Sequence, residues 1–135
     1  MSPEDLDIVS RAYDAFARGD LDALQELLSP DIEWRTTPDV PFLGNYRGID
    51  EFLRAMNEWT EPFDELTTTV EEMIDTGDRV VVRHRMRGRG TDSGAEVDLV
   101  LWQVVTVEDG QLTRMHDFAT REEALAAAAQ PDAGG

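Results

Sequence analysis

The chain has 135 residues, of which 41% are hydrophobic and 30% charged, and a formal net charge of −17 at pH 7. That length and balance suit one domain with a packed core rather than disorder. The charge disfavours nucleic acid and anionic membrane surfaces as partners, and the lack of cysteine excludes disulfides, thiolate metal sites and cysteine nucleophiles.

The opening residues are acidic, and no apolar run follows that would serve as a signal segment or membrane span, so a soluble cytoplasmic protein is expected. Ser2-Pro3-Glu4-Asp5 predicts a helix start: serine caps, proline suits the first helical position, and the acids suit the positive end of the dipole. Leu6, Val9, Tyr13 and Phe16 then recur at helical spacing up to Gly19. Asp20 caps a second helix, with Leu21, Leu24, Leu27 and Leu28 predicted on its inner face and Pro30 beyond it.

Residues 31–36 predict a short strand with Ile32 and Trp34 on one side and Glu33 and Arg35 on the other. Residues 37–48 read as a loop holding the apolar Phe42 and Tyr46. A third helix is predicted over 49–60, burying Phe52, Leu53 and Met56. The second half changes period: 64–75, 79–88, 96–107 and 111–118 predict a four-stranded antiparallel meander, separated by glycine-containing turns. Thr120-Arg121-Glu122-Glu123 is a capping box opening a last helix, and 130–135 is expected to fray. One domain over 1–129 follows. It is of the α+β class, with helices across the concave face of a curved sheet, closing a cone around an apolar cavity.

The element order resembles the nuclear transport factor 2-like superfamily, and within it the SnoaL-like (polyketide cyclase-like) branch. The residues that carry the likeness are Ala17-Arg18-Gly19-Asp20-Leu21-Asp22-Ala23-Leu24, Ser29-Pro30-Asp31-Ile32-Glu33-Trp34, Tyr46-Arg47-Gly48, Gly77-Asp78-Arg79-Val80-Val81-Val82-Arg83 and Asp109-Gly110-Gln111-Leu112 leading into Met115-His116-Asp117-Phe118. The resemblance implies a cystatin-like α+β barrel and a homodimer formed sheet to sheet. The fold hosts isomerases, cyclases, hydrolases, dehydratases and proteins without catalysis, so the likeness implies no one activity.

Strand parity puts Val80, Val82, His84 and Met86 on one face of their strand, and Leu99, Leu101, Gln103, Val105 and Val107 on one face of the next. Aligned by the resemblance, His84, Gln103 and Asp117 fall on the concave side, where burial raises a carboxyl pKa toward the useful range for acid–base work. The resemblance implies that Asp117 acts as acid/base, and His84, on the same concave side, is expected to orient it or share its proton. The expected pocket wall adds Tyr13, Phe16, Trp34, Phe42, Tyr46, Phe52, Met56, Gln103 and Met115. The tyrosine and two acids of ketosteroid isomerases match Ala12, Thr36 and Gln103, and the arginine–aspartate pair of the epoxide hydrolases matches His84 and Met86.

Two readings stay open: cofactor-independent cyclisation, isomerisation or hydration of a small apolar or aromatic molecule, or a non-catalytic ligand-binding or dimerisation module. Neither metal nor organic cofactor is expected, because two histidines without ligand spacing make a poor metal site. Val100, Trp102 and Val104 form an apolar stripe on the convex face, which suits the dimer contact.

Overall fold

The computed structural model of the chain describes residues 1–37 and 44–130. Phe42 and the tail from 131 onward lie outside the described residues. Helix α1 spans Pro3–Arg18. Ser2 Oγ accepts from the Asp5 amide, and Gly19 ends the helix at φ 70°, a left-handed conformation that costs glycine little. Helix α2, Leu21–Glu26, is capped by Asp20 and lasts only six residues. Leu28 starts strand β1, Leu28–Thr36, and pairs with Leu112, while the Leu112 amide bonds Leu27 O. The sheet therefore draws Leu28 out of the predicted helix, and Leu21, predicted to face inward, is 41% exposed.

Strand β2, Asn45–Arg47, lies in the segment predicted as loop and pairs with β1 through Trp34 and Tyr46. Helix α3 follows over Ile49–Thr60. Then come β3 (Phe63–Asp75), β4 (Arg79–Gly90), β5 (Glu96–Glu108), β6 (Gln111–Phe118) and helix α4 (Arg121–Ala129). The sheet order is β2-β1-β6-β5-β4-β3. The meander β3 to β6 is antiparallel as expected, and β1 adds to β6 in parallel.

Four register shifts shape this sheet, one of them in β1 between Leu28 and Glu33. β3 gains residues between Asp64 and Thr67 and between Val70 and Glu72. In β6, Thr113 is the extra residue: Thr106 faces Arg114 while Val107 faces Leu112. Leu112 and Met115, three apart, therefore both join the inner core, although a regular strand would turn them to opposite faces.

The concave face packs Val80, Val82, Val105 and Met115 against Val9, Tyr13, Phe52 and Met56 of α1 and α3. One part of the convex face is covered within the chain. Helix α4 lays Ala124 and Ala128 on Val81, Trp102, Val104 and Phe118. Trp102 is 8% exposed and Val104 5%, with the Arg83 and Arg121 guanidinium groups 5.4 and 5.9 Å from the Trp102 ring. Of the stripe expected at a dimer contact, Trp102 and Val104 thus lie under α4, while Val100 stays half-buried. The outer arginines of β4 also meet acids: Arg83 and Arg85 reach Glu71, Arg85 and Arg87 reach Asp98, and Arg89 reaches Glu96.

Arg79 fastens α4 in place. Its Nη1 donates to Ala127 O at 3.1 Å, Ala128 O at 3.3 Å and Gln130 O at 2.7 Å, so a cation meets the negative end of the helix. Arg79→Met is expected to cost about 1–2 kcal/mol. Amide exchange in α4 should then speed up more than exchange in β5; unchanged protection of α4 would remove this role.

Candidate functional site

The wall of the cone cavity is formed by α1 (Ala12, Tyr13, Phe16), by α3 (Phe52, Met56, Trp59), by Leu24, Leu28 and Trp34, and by the inner faces of β4 (His84, Met86), β5 (Leu101, Gln103) and β6 (Leu112, Met115). About 40 Å³ is open to the centres of water-sized molecules, room for roughly three of them.

The polar atoms on this wall belong to one cluster, which runs from Tyr13 and His84 through Gln103 to a carboxylate behind the wall. Asp117 is 0% exposed and does not itself line the cavity. The Trp34 indole Nε1–H donates to Asp117 Oδ2 at 2.8 Å, and Gln103 Nε2 donates to Oδ1 at 2.8 Å. Gln103 Oε1 accepts from the Tyr13 hydroxyl at 2.6 Å, and Nε2 also reaches the Met115 sulfur at 3.5 Å.

The register explains this assembly. Gln103 is paired with Asp117 across β5 and β6, and Trp34 with Met115 across β1 and β6, so Trp34 reaches Asp117 on the diagonal.

Burial pushes the Asp117 carboxyl up to about 6, although the bonds from Trp34 and Gln103 pull the other way. Burial pushes His84 down to about 4, so its imidazole is neutral at neutral pH, while Gln103 favours its charged form. The Tyr13 phenol is raised well above its usual value by burial and by the charge of Asp117.

Of the sequence-predicted residues, Tyr13, Phe16, Trp34, Phe52, Met56, His84, Gln103 and Met115 meet around the cavity. Tyr46 is not on the wall; it packs on the Trp34 ring at 5.5 Å between centroids. Asp117 and His84 are not direct partners. Both Asp117 oxygens are taken by Trp34 and Gln103, and Gln103 is the polar neighbour of His84. The direct proton sharing expected between the two is therefore not set up. A first-helix hydroxyl does reach the cluster, from Tyr13, one position after Ala12.

Trp59, Met86 and Leu101 are wall residues that the sequence reading did not assign to the site. For Met86 and Leu101 the signal was present in their parity with His84 and Gln103. His116 lies on the outer face beside Arg35 and Arg114, which lower its pKa together with burial, the largest cause. Among the described residues no cluster of three or more metal-ligating side chains occurs, and no helix is long and apolar enough to cross a membrane.

The family model of the SnoaL-like domain matches residues 9–115. An uncharacterized protein of Mycobacterium tuberculosis is 32% identical over 116 residues, covering 84% of this chain and 87% of its own. An NTF2-like protein from Burkholderia thailandensis superposes with a TM-score of 0.77 at 29% identity, covering 97% of this chain and all of its own. A provisionally assigned SnoaL-like polyketide cyclase from Jannaschia sp. CCS1 gives a TM-score of 0.76 at 25% identity, over 97% of this chain and 98% of its own. The chain belongs to the SnoaL-like domain family and has the nuclear transport factor 2-like fold.

Proposed function

We propose that the chain binds a small, largely apolar molecule in the cone, with one oxygen of the ligand accepting a hydrogen bond from Gln103. The observation that carries this reading is the clustering of the wall's polar atoms at one place in an otherwise apolar lining. Gln103 Nε2 spends one hydrogen on Asp117. The other meets only the Met115 sulfur, a weak acceptor that a carbonyl oxygen would replace with profit. Asp117 holds the amide in that orientation, and the acidic exterior disfavours anionic ligands.

A pair of isosteric probes tests this. Cyclohexanone is expected to bind about fivefold more tightly than methylenecyclohexane, the worth of one hydrogen bond between neutral groups. Equal affinities would contradict the proposal.

A second reading is acid–base catalysis without cofactor, in which Asp117 exchanges a proton with the ligand once Gln103 turns aside. The value of about 6 for Asp117 favours it, because an acid poised near neutrality exchanges protons readily. On this reading cyclohexanone binding changes with pH near 6 in the wild type, and the change is lost in Asp117→Asn. Identical profiles for the two proteins would leave Asp117 a purely positioning residue.

A further inference from the structure

We infer that the groove between α1 and β3 is a second subsite, which receives a neutral hydroxyl group of a ligand whose apolar body lies in the cone. The inference rests on the cavity reading for that apolar body. The groove is open to solvent and has about 290 Å³ of room. Asp14 stands on its helix side and Thr68 and Met73 on its strand side, and Tyr13 and His84 belong to both the groove and the cone. The Tyr13 and His84 rings, 4.9 Å apart edge to face, thus stand where the two spaces meet.

Two polar atoms at this wall are cut off from solvent without a hydrogen-bond partner: His84 Nδ1 and Thr68 Oγ1. Each such atom destabilises a fold and calls for an explanation. They share a face of the sheet, because Val70 pairs with His84 and Thr68 with Met86. A neutral imidazole nitrogen without a hydrogen accepts, and a threonine hydroxyl both donates and accepts. Neither atom is open to a water-sized group as the side chains stand, so a ligand hydroxyl satisfies both once it parts them, donating to His84 Nδ1 and accepting from Thr68 Oγ1. A carboxylate satisfies neither so well: the ion pair on this wall, Asp14 with Arg18 at 2.9 Å, is already closed, and the surrounding field is negative.

Benzyl alcohol and toluene, which differ by that hydroxyl, separate the possibilities in two-bond ¹H–¹⁵N spectra of the imidazoles. Benzyl alcohol is expected to shift the His84 Nδ1 resonance upfield, and toluene to leave it in place. Thr68→Val should weaken benzyl alcohol about fivefold and leave toluene unchanged. The subsite is overturned if Nδ1 does not move at saturation, if toluene moves it equally, or if benzyl alcohol fails to bind saturably. The cyclohexanone pair reports on the cone independently, so the subsite can fail while the cavity reading stands.

Discussion

Asp117→Asn is expected to gain stability relative to the wild type by on the order of 3 kcal/mol as pH rises from 4 to 6, and His84→Gln to lose a similar amount over the same window. Asp117 moves from 3.8 to about 6 on folding. Between those values the folded protein holds a proton that the unfolded chain has released, so this group's contribution is present below 3.8 and lost as pH rises through 6. His84 moves from 6.5 to about 4. Here the unfolded chain holds the extra proton, so the contribution is present above 6.5 and lost as pH falls through 4. Each shift spans about two units at about 1.4 kcal/mol per unit. In the wild type the two slopes oppose each other and nearly cancel, and either substitution unmasks the other. Urea midpoints at pH 4, 5, 6 and 7 measure this. Curves for both variants that run parallel to the wild type would show that neither group is as buried as the fold places it.

Phe52→Ala is expected to cost about 3–5 kcal/mol, the range for a fully buried aromatic ring. Phe52 is 1% exposed and packs on Trp34 with ring centroids 5.3 Å apart. It joins α3 to the strand whose indole bonds Asp117. The substitution also enlarges the cavity that Phe52 lines, so toluene should restore part of the lost stability in proportion to its concentration. Leu21→Ala, on the exposed side of α2, should stay within about 0.5 kcal/mol. A Phe52→Ala protein as stable as the wild type, or one that toluene leaves unchanged, would remove Phe52 from the cavity wall.

Much of the fold was legible because its signals are local. The Ser2 and Thr120 caps, the break at Gly19 and the alternation in β4 and β5 each follow from neighbouring residues, and they aligned His84 with Met86 and Leu101 with Gln103. What was not legible depends on partners far apart in sequence. The Thr113 bulge breaks the two-residue period, so the shared face of Leu112 and Met115 does not show in spacing. Leu28 leaves its helical pattern because β6 offers it a ladder. Five of the nine residues of helix α4 are alanine, spread around the helix, so its spacing does not single out the face that covers Trp102.

The site divides along the same line. Parity grouped Asp117 with Met115, and the family resemblance put that face on the concave side. Only the reach of Gln103 and Trp34 across two strands shows that the carboxylate lies behind the wall and supports the groups that meet a ligand.

Intermolecular nuclear Overhauser effects from cyclohexanone test the central claim most directly. A ligand in the cone gives cross-peaks to the methyl groups of Met56 and Met115 and moves the Trp34 indole N–H resonance, whose proton is held by Asp117. Cross-peaks confined to Leu125 and Val100 on the convex side, with the Trp34 resonance unmoved, would contradict it.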